Sequence, residues 1–173
     1  RPFYHSTDLL ELNAIPPEIY IPFVVGHFRK RHRKISSENV RTVYDLFQGH
    51  TYYLQKTFNE SFADTPENEE CTQEIIRTAI DRMIDSNGTL FQEILSNIPE
   101  KQKVLLYAIA KEGRAARITS ADFIKRHRLT SASSVQFAIK KLLEKDLVTE
   151  NNKSFSLNDR LFAMWINKLY GTK

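Results

Sequence analysis

Apolar side chains recur at helical spacing along most of the chain. Ile15-Pro16-Pro17-Glu18 marks a helix start, since proline is tolerated in a first turn whose N–H groups have no intrahelical partner. Pro22 signals a second start, so the helix proper is predicted over about 22–32, with Phe23, Val24, His27 and Phe28 on one face. Ser36 or Ser37 caps the next helix, with Glu38 in its first turn and Val40, Val43, Tyr44 and Phe47 at helical spacing, and Gly49 ends it. Another helix follows at once with Tyr52, Tyr53, Leu54, Thr57 and Phe58. Thr65-Pro66-Glu67 reads as a further start: a capping threonine, proline, then an acid. Ile75, Ile76, Ala79, Ile80, Met83 and Ile84 form one stripe, which Asn87-Gly88 breaks and Leu90, Phe91, Ile94 and Leu95 resume.

From residue 99 the pattern changes. Pro99 starts a helix with Val104, Leu105, Ala108 and Ile109 on one face, and Gly113 ends it. Ala116-Arg117-Ile118 is a short extended piece. Thr119-Ser120-Ala121-Asp122 resembles a capping box leading into a brief helix with Phe123 and Ile124. Leu129-Thr130-Ser131 forms a turn and cap before a helix over 132–145, with Val135, Ala138, Ile139, Leu142 and Leu143 inward. Leu147-Val148 and Phe155-Ser156-Leu157 are two strands around Asn151-Asn152-Lys153, a turn that suits asparagine's tolerance of positive φ. A final helix carries Leu161, Phe162, Trp165, Ile166 and Leu169. This order is that of a winged helix-turn-helix. The predicted fold class is therefore mainly α: a helical bundle over 1–64, a helical hairpin linking at 65–98, and a winged helix with a small β-hairpin wing over 99–173.

Charge sharpens this division. Residues 99–173 carry 15 Lys/Arg against 7 Asp/Glu, a net +8; residues 61–98 carry 2 against 8, a net −6; the first sixty carry 8 against 6. A basic last third points to a polyanionic partner. The run from Arg29 to Lys34 is read first as a solvated helix end whose cations complement the helix dipole, with a phosphate-contacting patch as the alternative. No apolar run approaches the ~20 residues of a membrane helix, and no signal peptide is visible. Cys71 is the single cysteine, which excludes an intramolecular disulfide and a cysteine-based zinc site and fits a reducing cytoplasm. Without a secretory signal, the sequons at Asn59 and Asn87 are discounted. The first residue is arginine rather than methionine, so a fragment of a longer protein is expected.

No catalytic arrangement emerges. The five glycines are not spaced as a phosphate-cradling loop, and no nucleophile motif is present. His27 and His32 lie five apart, unsuited to a helical metal pair, while His5, His50 and His127 are isolated. No metal site, bound cofactor or enzymatic activity is expected of this chain. The helix over 132–145 is the candidate surface, because the N-terminal part of a recognition helix faces the major groove. Ser131, Ser133, Ser134, Gln136, Lys140 and Lys141 point outward there: hydroxyls and amides suit phosphate, Gln136 can read an adenine edge, and the lysines suit the backbone. Lys125, Arg126 and Arg128 precede the helix and Lys153 sits on the wing, completing a set that can neutralise several phosphates. Phe137 occupies the same face where a polar base-reading residue is usual; it suits a thymine methyl or a protein contact.

Arg1-Pro2-Phe3-Tyr4, Ile15-Pro16, Ile21-Pro22-Phe23 and Gly49-His50-Thr51-Tyr52-Tyr53-Leu54-Gln55 resemble the lid of prokaryotic AAA+/STAND-type ATPases, a family in which a winged helix follows the lid. The resemblance spans essentially the whole chain through the order and spacing of its parts. It implies that 1–64 is a lid subdomain and that Gly49 and His50 open a lid helix beside the nucleotide, although the family has proline where this chain has Thr51. A plain turn between packed helices is the other reading of Gly49-His50. The family's phosphate-binding loop and magnesium-binding acid lie upstream of the lid, so ATP and magnesium would be bound by the parent protein. The layout is similar to that of archaeal origin-binding ATPases, whose winged helix grips DNA. The partners so implied are double-stranded DNA and the upstream ATPase domain. Two other readings stay open: a winged helix used for protein contact or autoinhibition, and a free-standing transcription regulator.

Overall fold

A computed structural model of the chain describes residues 14–171. The segment Arg1-Pro2-Phe3-Tyr4 and His5 lie outside the described residues. The chain divides into two compact units, with the division after Ile80.

The first unit contains α1 (Pro17–Lys30), α2 (Ser37–Leu46), α3 (Thr51–Asp64) and the start of α4 (Gln73–Ser86). Pro22 does not start a helix. It lies inside α1, where it forfeits one bond to the Glu18 carbonyl on an exposed face, and Pro17 takes the first helical position instead. Burial follows the earlier start: Tyr20, Ile21, Val24 and Phe28 turn inward, while Phe23 and His27 of the expected face are exposed. Phe28 meets Phe62 edge-on at 5.2 Å between ring centres, and Tyr20 lies 5.9 Å from Tyr44. Ser36 caps α2, its hydroxyl accepting from the Asn39 N–H at 3.1 Å. Thr65 starts no helix either. It closes α3, donating its hydroxyl to the Ser61 carbonyl at 2.6 Å, and Pro66 then prevents continuation. The next helix begins at Gln73, where the Thr72 hydroxyl accepts from Ile75. Arg33, from the basic run, donates to the Thr65 carbonyl at 2.6 Å and stacks over Phe62 at 4.4 Å.

The second unit runs through α5 (Gly88–Ser96), α6 (Glu100–Glu112), β1 (Ala115–Ala116), α7 (Ala121–Arg126), α8 (Ala132–Glu144), β2 (Val148–Asn151), β3 (Ser154–Leu157) and α9 (Arg160–Tyr170). From α6 onward this is the predicted order. The sheet is antiparallel in the order β1-β3-β2, with Ala115 opposite Phe155 and Val148 opposite Leu157. Leu105, Leu106, Ile109, Leu142, Leu161 and Ile166 are almost fully buried between α6, α8 and α9. Phe91 of α5 packs 5.0 Å from Phe162 and 5.6 Å from Trp165, so α5 shares this core. The first strand sits one residue earlier than expected, because Arg117 takes a left-handed φ of 50° and ends it. Ser120 caps α7 without the reciprocal partner of a capping box. Leu147 is not a strand residue; its N–H bonds back to the Leu142 carbonyl while Asp146, at φ 53°, terminates α8. The hairpin turn is tighter than expected. Asn152 and Lys153 both have positive φ, as a two-residue type I′ connection requires, and Asn151 already pairs with Ser154.

Candidate nucleic-acid interface

The corner between α7 and α8 is built locally. Arg128 takes φ 53°, and the N–H groups of Arg128 and Leu129 bond back to the carbonyls of Lys125 and Ile124. This two-bond closure ends α7 without glycine. His127 holds the corner to α6: its ring lies 4.4 Å from that of Phe123, and its Nε2 is 2.8 Å from a Glu112 carboxylate oxygen. Ser131 then caps α8, accepting from the Ser134 N–H at 3.2 Å and lying 3.1 Å from the Ser133 hydroxyl.

With Val135, Ala138, Ile139 and Leu142 buried, α8 leaves Ser133, Gln136, Phe137 and Lys140 exposed. Their spacing of three, four and seven residues places them on one face. Phe137 is 64% exposed, a large apolar side chain at the centre of that face. Ser131 and Ser134 are half-buried, and the Ser131 hydroxyl is occupied as the cap.

The structure sorts the basic residues into two groups. The Arg126 guanidinium is held by Glu112, 2.7 Å away, and by Asp122. Lys141 pairs with Glu144 at 2.6 Å. The hydrogen bond from His127, helped by Arg126, keeps the Glu112 carboxyl below its ordinary value, and Lys141 does the same for Glu144. By contrast Lys125, Arg128, Lys140 and Lys153 are exposed and form no ion pair among the described residues. These four can meet phosphates without first giving up a carboxylate. Glu112 was not legible as part of this surface, because its partners lie 14 and 15 residues further along the chain.

Beside the N-terminus of α8 lies a groove of about 180 Å³, adjoined by a second of about 410 Å³ between α6, the end of α7 and α9. They share Glu100, Val104 and Arg128 in their walls. The larger ends at Tyr107 and Tyr170, whose rings stack 4.6 Å apart at 13°. Burial, with the neighbouring Tyr170, pushes the Tyr107 hydroxyl up to about 12.

Gly49 and His50 sit in a packed corner of the first unit. Gly49 has φ 74°, and a Cβ there would lie 2.7 Å from the Tyr44 hydroxyl and 2.8 Å from the Ala14 Cβ. That hydroxyl donates to the Ile15 carbonyl at 2.7 Å. His50 stacks on Tyr53 at 4.5 Å and gives α3 no side-chain cap. Among the described residues no cluster of His, Cys, Asp or Glu could hold a metal ion, and no helix is long and apolar enough to cross a membrane.

No curated protein and no solved structure matches the chain. Residues 89–168 match a family model described as a probable winged helix domain. That stretch begins in α5 and ends in α9, enclosing the corner, the capped α8 and the three-stranded sheet, and with that architecture it marks this part of the chain as a winged helix domain.

Proposed function

We propose that the winged helix binds duplex DNA, with α8 in the major groove. The observation that carries this is the single exposed face of Ser133, Gln136, Phe137 and Lys140, with further unpaired cations at Lys125 in the last turn of α7, at Arg128 beside the start of α8 and at Lys153 on the wing turn. Gln136 would offer its amide to a base edge, Phe137 would meet a thymine methyl, and the cations would take phosphates. Ser131 acts by holding the helix start rather than by contact. Arg126 and Lys141 contribute less, since each must first leave a carboxylate.

The test is a fluorescence-anisotropy titration of the chain with random duplex DNA at low and moderate salt. Binding should weaken steeply with salt. Lys140→Glu should weaken it and lower the log–log salt slope by about 1, whereas Lys141→Glu should do less. An absence of binding at low salt would sink the reading. The exposure of Phe137 supports a second one, contact with protein, above all with an upstream ATPase domain. Under that reading Phe137→Ala abolishes the protein contact and no DNA binding is seen.

The wider assignment keeps the resemblance as its support: 1–64 as an ATPase lid, 65–98 as a linker, 99–173 as the DNA-binding end, and ATP with magnesium bound upstream in the parent protein. The close packing at Gly49 supports the turn between packed helices more directly than a nucleotide contact. His50→Ala in the parent protein separates these two, because a nucleotide contact predicts a changed KM for ATP and a structural turn does not.

A further inference from the structure

The two grooves at the α7–α8 corner share Arg128 with the duplex contact described above and otherwise lie outside it. We infer that they hold an unpaired DNA strand leaving the duplex, so that the winged helix prefers a duplex with a single-stranded tail. This rests on the duplex-binding reading of α8 and adds a substrate class to it.

Three features of the grooves fit such a strand. The smaller groove is lined by Ser134 and Val135, in the first turns of α8, so it adjoins the helix proposed to read the duplex. It continues into the larger groove past Arg128, whose left-handed backbone is fixed by two hydrogen bonds and whose side chain is exposed. Lys101 and Arg128 supply cationic charge to the walls beside the carboxylate Glu100, while Arg126, also in the wall, is already held by Glu112 and Asp122. Lys101 and Arg128 make no ion pair among the described residues. The floor is apolar, formed by Val104 and Ala108, and the groove ends on the Tyr107–Tyr170 stack. A cationic rim that tracks a backbone, with an aromatic platform where a base can extend the stack, is how proteins hold single strands without reading sequence. The interior bases of a duplex are stacked on both faces and cannot use that platform, whereas an unpaired base can.

The test uses the full chain and three labelled probes: a blunt duplex, the same duplex with a six-thymidine tail at either end, and the tail alone. The tailed duplex should bind roughly tenfold more tightly than the blunt one, about the worth of one stacked base. Tyr170→Leu and Lys101→Gln should each remove most of that advantage and leave the affinity for blunt duplex unchanged. Lys101 is exposed, so its variant keeps the test valid if the tyrosine variant fails to fold. Equal affinity for blunt and tailed duplex would overturn the groove assignment and leave the α8 reading intact. Binding of neither duplex would overturn both. A tail preference untouched by either variant would show that the strand runs elsewhere, which also overturns the assignment.

Discussion

The chain turns from one helix into the next by the same backbone device at α2–α3 and at α7–α8, and the two corners are put to different use. In each, a non-glycine residue takes the left-handed conformation, Gln48 at φ 52° and Arg128 at φ 53°, and two N–H groups bond back to the last turn. At the first corner the chain then closes on itself: Gly49 is buried against Tyr44 and Ala14, and α3 begins without a side-chain cap. At the second, Ser131 supplies the cap and the side chains beyond it face outward. A helix start secured by its own serine needs little from its neighbours, so the residues around it are left free for a partner. A start secured by close packing has no such freedom.

The sharpest way to break this comparison is to place a Cβ at Gly49, where the second corner has Leu129. Gly49→Ala combines left-handed strain of ~1–2 kcal/mol with an overlap that forces Tyr44 or the Ala14 segment to move. A loss of about 3 kcal/mol is expected, read as a lower urea midpoint by far-UV circular dichroism. Trp165, the only tryptophan and part of the second unit, should report a smaller shift by fluorescence. An unchanged midpoint would mean that the corner relaxes and is not held by packing.

The second corner should respond to loss of its cap. Ser131→Ala removes the acceptor for the Ser134 N–H and should cost about 1 kcal/mol, visible in the Trp165 transition. Ser133→Ala, on the exposed face two residues later, should stay within about 0.5 kcal/mol. At the first corner His50→Ala removes no cap and should be closer to the Ser133 variant than to the Ser131 one. Equal losses at Ser131 and Ser133 would erase the distinction between a cap and a contact surface.

Much of the second corner was legible because its signals are local. Helical spacing identified Val135, Ala138, Ile139 and Leu142 as inward and left the exposed face as their complement, and serine before the helix announced the cap. The element order from Pro99 onward followed from the same local patterns. What was not legible depends on residues far apart in sequence or on competition between local signals. Pro22 and Thr65 both carry the marks of a helix start, yet the tertiary burial of Tyr20 and Ile21 draws α1 through Pro22, and α3 runs long enough to claim Thr65 as its end. The neutralisation of Arg126 by Glu112 needs α6 and α7 to be brought together. The groove needs α9 as well, since Tyr107 and Tyr170 meet across 63 positions of chain that no periodicity connects.

Arg128 tests the comparison most finely, because stability and binding should move in opposite directions there. An L-residue at φ 53° carries left-handed strain of ~1–2 kcal/mol, while glycine in its place loses ~0.5–1 kcal/mol of additional chain entropy on folding. Arg128→Gly should therefore leave the second unit as stable as before or more stable by about 0.5 kcal/mol, with the Trp165 midpoint unchanged or raised. The same change removes an unpaired cation beside α8, so affinity for duplex DNA should fall and the salt slope should drop by about 1. If stability and affinity fell together, Arg128 would be holding the corner rather than serving the partner. The second corner would then be a packed turn like the first.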